Sequence, residues 1–319
     1  MRIAEGDFAP SAFVTRQHGK PADIVIFTRR SHVIEVRSAV QRIDPALIAL
    51  FSNQAFKRFP AIERIEFQPM MVGTARAGFD LSGRPFQAVV TSEDFVKRLP
   101  PDAETYRKDL AKSTRRGLTR SLNRLAKQYP DFSFEVHGPE VGAQVLEEIF
   151  RIHYKRMQAR GIRSAIDAKY KRRIVALVRH FGLVGVLRID GRVAAGSINY
   201  VVGDRLYSET VAHDPAYNFL KLGVLCTYLM ILEVIARNVR EWHFLWGASE
   251  FKQRLGGIKH DLVAIIVYRS RAAALRNTGS YLSRSISSRI RALRITAAKV
   301  RIARAAVARF RMIARSIRP

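Results

Sequence analysis

One cysteine, Cys226, stands in a chain of 319 residues, so no disulfide can form within it. Cys226 lies in the apolar run LGVLCTYLMILEVIA. There a core thiol is the expected state and a nucleophile is not, because no partner histidine is fixed nearby in sequence. No segment offers the roughly 20 apolar residues that cross a bilayer. The N-terminus, MRIAEGDFAP, has no apolar signal-peptide core. The eight histidines show no metal-ligand spacing, so no metal is expected. Acidic residues are scarce too, 27 against 55 Lys plus Arg, for a net charge of +28. These absences argue against a disulfide scaffold, a membrane-spanning or secreted protein, and thiol or metal chemistry. The expectation is a cytoplasmic enzyme large enough to bury one or two cores.

The informative segment runs from Leu183 to Arg269. Val184 to Ile189 and Arg192 to Val202 are apolar strand candidates joined by Asp190-Gly191, a hairpin dipeptide. Gly203-Asp204 turns into a third strand, Arg205 to Ala212. HDPAYNFLKLG is then expected as a loop, since Asp214-Pro215 disfavours helix, Gly223 opens an apolar helix from Val224 to Arg237, and a further strand is expected over Trp242 to Trp246. The first turn of a helix leaves unpaired N–H groups and partial positive charge, which suit a pyrophosphate, and Lys221 adds a full charge there. A plain connection is the competing reading of the same loop.

These residues resemble the GNAT acyltransferases, whose cofactor loop places Gln or Arg, then Gly, then Gly or Ala, where this chain has Asn218, Lys221 and Gly223. More closely, the chain looks like the BioF2-like or CelD-like branch related to the Fem peptidyltransferases. The likeness spans about Leu99 to Arg269 in four patches: LPPDAETYRKDLAKSTRRGLTRSLNRL, IHYKRMQARGI, LRIDGRVAAGSINYVVGDRLYSETVAHDPAY and FLWGASEFKQRLG. It implies an α/β, GNAT-like mixed sheet flanked by helices, with acyl-coenzyme A, acetyl-coenzyme A in the first instance, as co-substrate. Val211, Asn218, Lys221, Leu222, Gly223 and Val224 are the cofactor-binding positions it implies.

The resemblance also places the chemistry. Glu209 alternates with Tyr207 and Val211 on the strand before the loop, where many GNAT enzymes carry their general base; a surface salt bridge is the alternative. His213 is a second candidate base, or with Asp214 a loop cap. Phe251 replaces the tyrosine of the relatives' Gly-polar-Tyr-Lys run, which leaves Ser249, Tyr228 or solvent to protonate the leaving thiolate. Lys252 is a candidate for an acceptor anion or a developing oxyanion, or else a surface lysine. His153, Tyr154 and Arg156 follow the family's His-x-x-Arg pattern and are acceptor-side candidates; core packing of His153 is the alternative.

Outside this segment, charge dominates. Residues 271–319 hold 13 basic and no acidic residues, with Ile286, Ile290, Leu293, Val300, Val307 and Phe310 at helical spacing. The pattern is a basic amphipathic tail. Its expected partner is an anionic membrane surface at the cytoplasmic face, with nucleic acid, a coiled-coil partner or a disordered tail as alternatives. Lys112, Arg116, Arg120 and Arg124 form a second basic row, opposite Leu118, Leu122 and Leu125. That row is either a solvated face or a phosphate contact.

Three segments are therefore expected: 1–100, an α/β segment and candidate degenerate first GNAT half; 101–270, the acyltransferase domain; and 271–319, the tail. In the first, DIVIF, VIEV and IERIEFQ read as strands and SEDFVKRL as a helix end or linker. The expected activity is N-acyl transfer, an acetyl group going to an amine on a sugar, lipid-linked polysaccharide precursor or small molecule. Aminoacyl-tRNA-dependent transfer and a non-enzymatic nucleic-acid or membrane adaptor are the alternatives.

Overall fold

The computed structural model describes residues 10–38, 42–71, 81, 83–247 and 249–277. These fall into two compact units, Ser11–Thr91 together with residues from 261 onward, and Ser92–His260.

The first unit opens with β1 (Ser11–Gln17), β2 (Lys20–Arg30) and β3 (Val33–Val36), an antiparallel meander turned at His18-Gly19 and Ser31-His32. Helix α1 (Pro45–Arg58) follows, started by Asp44, whose side chain accepts from Ala46 N at 2.8 Å, with proline in the first turn. It crosses to β4 (Arg64–Met71), which pairs parallel to β3. The strand β5 (Phe86–Arg98) begins in this unit and ends in the next.

The second unit continues with α2 (Ala103–Asp109), α3 (Lys112–Gln128), β6 (Ser133–His137), α4 (Ala143–Ala159) and α5 (Ala168–Phe181). Next come β7 (Gly182–Ile189), β8 (Arg192–Val202) and β9 (Arg205–His213), then a 3₁₀ helix over Pro215–Leu220. Helix α6 (Leu222–Ala236), β10 (Glu241–His243) and α7 (Glu250–Arg254) complete it. The chain then returns to the first unit as β11 (Ile258–Tyr268), antiparallel to β4, and α8 (Arg271–Arg276).

Strand order in the second unit is β5-β10-β9-β8-β7-β6, antiparallel throughout except for the parallel pair β9–β10. Helices α4 and α5 cover one face, over a core of Ile149, Phe150, Ile174, Val184, Val186 and Ile198. Helix α6, with α2 and α3, covers the other, where Leu225, Met230, Ile231 and Trp242 are fully buried. Sequence explains α6: LGVLCTYLMILEVIA is apolar nearly all round, so it buries most of its circumference. Cys226 lies in this core, where burial pushes its thiol up to about 12.

The first unit repeats the same order of parts: β1-β2-β3-β4-β11, with α1 crossing between the parallel strands as α6 does between β9 and β10. Its core is Phe27, Ile34, Phe51, Phe56, Ile65 and Phe67. Arg269, after β11, donates to the carbonyls of Phe56, Phe59 and Ile62 at 2.6 to 2.9 Å and so closes the C-terminal end of α1.

Four expectations of local structure need correction. SEDFVKRL is the latter part of strand β5; its polar residues disguise it, because Asp94 is buried against His243 and is not solvated. HDPAYNFLKLG is largely a 3₁₀ helix, initiated by Asp214. Helix α6 starts at Leu222, one residue before Gly223, because Lys221 takes the left-handed capping conformation (φ 56°, ψ 39°). The strand expected over Trp242 to Trp246 stops at His243: Leu245 has φ 53°, and the three following carbonyls are taken by a side chain.

Candidate active site

The cleft arises where two parallel strands stop pairing. β10 runs beside β9 through Glu241↔Arg205, Trp242↔Leu206 and His243↔Tyr207, and there β10 ends while β9 continues to His213. Half of the main-chain groups of a strand point to each neighbour. Past Tyr207, β9 therefore presents N–H and C=O groups on that side with no strand to take them.

A cavity of about 300 Å³ fills the gap, lined by Arg156, Glu209, Val211, His213, Phe244, Trp246 and Lys252 among others. Gly223 and Val224, at the start of α6, form its edge. A larger space of about 710 Å³ shares Val224 and Phe251 with it and extends between α3, the start of α6 and α7. Its cationic member at the α6 start is Lys221, while its acids are engaged, Asp109 with Lys97 at 3.0 Å and Glu250 with Arg254 at 2.5 Å.

A register shift against β8 at Ile198/Asn199 leaves Glu209 as the extra residue of β9: Glu209 meets Tyr170 of α5, Ala212 packs into the core under α4 and α5, and His213 stands beside Gly223 at the start of α6. Burial raises the Glu209 carboxyl above the usual carboxylate range, with the Tyr170 hydrogen bond and Arg173 pulling the other way. It is the Tyr170 hydroxyl that donates to Oε1 of Glu209, at 2.5 Å. A buried carboxyl with an elevated affinity for protons is suited to general-base work near neutral pH.

His213 bonds Asn218 Oδ1 through Nε2 at 3.0 Å, and its Nδ1 is buried without a partner. Burial, then Arg156, holds its imidazole below the usual range, so it is neutral at pH 7. A Cβ on Gly223 would stand 2.8 Å from that Nδ1, so glycine is what lets the helix start approach the ring. Asn218 is thereby committed to His213. Asp214 caps the 3₁₀ helix through Ala216 N and pairs with Lys155 at 2.9 Å.

Helix α6 has no side-chain N-cap and no acidic residue in its first turn. The leading N–H groups and Lys221 at the cavity edge fit an anionic group such as a pyrophosphate. In the first unit the corresponding helix start, α1, is closed by the Asp44 carboxylate.

Lys252 is 7% exposed, and its ammonium donates to the carbonyls of Phe244, Leu245 and Trp246 at 3.0, 2.9 and 2.8 Å. Burial lowers it to about 8. With three donors on three acceptors, it shapes the wall of the cleft opposite Glu209.

The other expected residues divide. Arg156 lines the cavity and donates to Val211 O at 2.8 Å. His153 and Tyr154 turn instead to the segment after α4, bonding Ser164 Oγ at 3.0 Å and Ile166 O at 3.1 Å. Tyr228 is buried beside Tyr106, its hydroxyl accepting from Arg107 Nε at 3.1 Å, and neither cavity includes it. Ser249 is the half-buried residue before α7 and lies outside both linings. Lys112, Arg116, Arg120 and Arg124 are exposed in a row, while Ser113, Gly117 and Ser121 of the same helix line the larger space. Tyr170, Phe244 and Trp246 are site residues that sequence reasoning passed over. Tyr170 stands 39 positions before Glu209, and nothing local marks such a pair.

Among the described residues no group of His, Cys, Asp and Glu could hold a metal ion, and no helix is long and apolar enough to cross a membrane.

A mixed sheet opening between two parallel strands beside an uncapped helix start defines an α/β protein with an acyltransferase-type fold. Residues 112–253 match the family profile described as "Acetyltransferase (GNAT) domain". No curated protein matches the chain in sequence. Among solved structures it is similar to FemX, at 9% identity and TM-score 0.61, over 81% of this chain and 88% of that one. It is also similar to the C-terminal domain of a putative lysylphosphatidylglycerol synthetase from Agrobacterium fabrum, at 12% identity and TM-score 0.52 over 81% and 84%. L-PGS from Bacillus licheniformis gives 10% identity and TM-score 0.52 over 78% and 81%. At these identities the likeness is one of fold.

Proposed function

We propose that the protein transfers an acyl group, acetyl in the simplest case, from an acyl-coenzyme A thioester to an amine acceptor. The observation that carries this reading is the opening of β9 from β10 past Tyr207, with Glu209 half-buried in the gap and the uncapped start of α6 at its edge. The bound thioester supplies the activated acyl group. Lys221 and the first N–H groups of α6 hold its phosphates, and the main-chain N–H groups that β9 turns toward the gap past Tyr207 polarise the carbonyl. Glu209 takes the proton from the acceptor amine, the new N–C bond forms as the C–S bond breaks, and solvent protonates the departing thiolate. Neutral His213 keeps the start of α6 in place. Arg156, the one member of the α4 trio that lines the cavity, faces the acceptor.

An amino sugar or lipid-linked precursor is the acceptor class we propose, at an anionic cytoplasmic membrane surface reached through residues 271–319. The first unit acts as a degenerate copy of the catalytic one, since Asp44 occupies the place where a donor phosphate would sit.

Calorimetric titration of acetyl-coenzyme A and free coenzyme A into the chain ending at Asn277 tests the donor. Binding at roughly micromolar Kd, weakened tenfold or more by Lys221→Glu, is expected. Absence of binding to either ligand overturns the coenzyme A reading, and the same titration with aminoacyl-tRNA then examines the alternative donor.

A further inference from the structure

Glu209 is held from behind. Tyr170, in the first turn of α5, donates its hydroxyl to Oε1 at 2.5 Å, while among the described residues no donor bonds Oε2. The tyrosine is itself fixed: its backbone N–H goes to the capping carboxylate of Asp167 at 2.7 Å, and its ring packs among the side chains under α4 and α5. Burial, then the charge of Glu209, pushes the Tyr170 phenol well above its usual range. It therefore remains a donor around neutral pH.

We infer that Tyr170 is a positioning residue which ties Oε1 of Glu209, so that Oε2 is the oxygen that receives the proton of the acceptor amine. This rests on the acyl-transfer reading. The step is one proton transfer: the N–H bond of the attacking ammonium or amine breaks, an O–H bond forms at Oε2, and Tyr170 keeps its own proton throughout. A hydrogen bond donated to a carboxylate favours the charged form, so Tyr170 also opposes the desolvation that raises Glu209. Nearby Tyr200 supplies an internal contrast. Its hydroxyl is buried as well but has no partner, so it does not hold the carboxylate.

The test is Tyr170→Phe, with Tyr200→Phe beside it, in the full chain. Two quantities are read: the acidic limb of kcat/KM for acetyl transfer, and the titration of Glu209 by carboxyl-carbon NMR, assigned with Glu209→Gln. Tyr170→Phe should move both midpoints up by about one pH unit, a tenfold change in proton affinity, as expected for loss of one hydrogen bond to a charged acceptor. Tyr200→Phe should leave both in place. A Glu209 midpoint that does not move in Tyr170→Phe, or that moves equally in Tyr200→Phe, overturns the assignment whatever the activity. If Tyr170→Phe fails to fold, fluorotyrosine incorporation replaces it: a more acidic phenol donates more strongly and should lower the midpoint, and an unchanged midpoint refutes the tie. A midpoint that responds in a protein that consumes no thioester at any pH removes the acyl-transfer reading and leaves the Tyr170–Glu209 pair standing.

Discussion

A methyl group at position 223 would meet the Nδ1 of His213 at 2.8 Å, and the ring cannot swing away without leaving Asn218. Gly223→Ala should therefore cost about 1–3 kcal/mol, the usual range for overpacking, and shift the start of α6. If the clash is the cause, His213→Ala in the same chain should recover most of the loss. Denaturant unfolding of the four members of this double-mutant cycle measures the coupling, and additive losses would refute it. Lys252 tests the same scale through charge. Its folded pKa is about 8 against an ordinary 10.5, so between those values the unfolded chain holds more protons. Stability then rises with pH across that window, by about 3 kcal/mol at the upper end, relative to a variant lacking the group. Lys252→Met leaves the carbonyls of Phe244, Leu245 and Trp246 without their donor and should be the less stable protein, by a gap that widens from pH 7 toward pH 10 as the folded lysine sheds its desolvated charge. A gap constant with pH would show that the lysine titrates normally.

At the scale of elements, the start of α6 combines conformational strain with binding charge in one residue. Lys221 sits at φ 56°, where a residue with a β-carbon is disfavoured by about 1 kcal/mol. Lys221→Gly should raise the melting temperature slightly and weaken binding of coenzyme A at the same time; a rise in both would place the phosphates elsewhere. This element was legible before the structure because Gly223 and the apolar run after it are local signals, and the hairpins Asp190-Gly191 and Gly203-Asp204 fell where turn chemistry put them. The strand β5 was not legible. Asp94, fully buried, reads as a solvated charge until His243, 149 residues away, is known to stand 2.7 Å from it. Glu209 was singled out by its place on β9, and its partner Tyr170 was not, since a contact across α5 and β9 leaves no periodic trace in either segment. Lys252 was singled out as a reacting charge, yet what its sequence position hid is that β10 ends early and turns three carbonyls onto it.

For the whole molecule, the question is where the basic tail begins to be independent of the fold. Seven residues past Ser270 still belong to the first unit: Ser270 caps α8 through Ala273 N at 3.2 Å, Ala273 is buried, and Asn277 accepts from Arg64 at 2.5 Å. The Arg276–Glu63 pair is exposed and contributes little. A chain ending at Arg269 should thus lose about 2 kcal/mol of stability, from one buried contact and two hydrogen bonds, whereas a chain ending at Asn277 should unfold like the full protein. Residues 278–319, on which the amphipathic pattern mostly falls, lie outside the described residues; by sequence they hold the 13 basic residues of 271–319 less Arg271 and Arg276, hence 11. At about 1 kcal/mol for each basic side chain near an anionic surface, about eight of them engaged would give attachment in the micromolar range. Sedimentation with vesicles of phosphatidylglycerol and phosphatidylcholine should therefore capture the full chain at low salt, release it as salt rises, and capture the chain ending at Asn277 poorly. Acetyl transfer to a soluble amine should be equal in the two proteins. If the shorter chain still sediments, the exposed row Lys112, Arg116, Arg120 and Arg124 becomes the surface to reverse, because these four cations follow one another along one exposed face of α3.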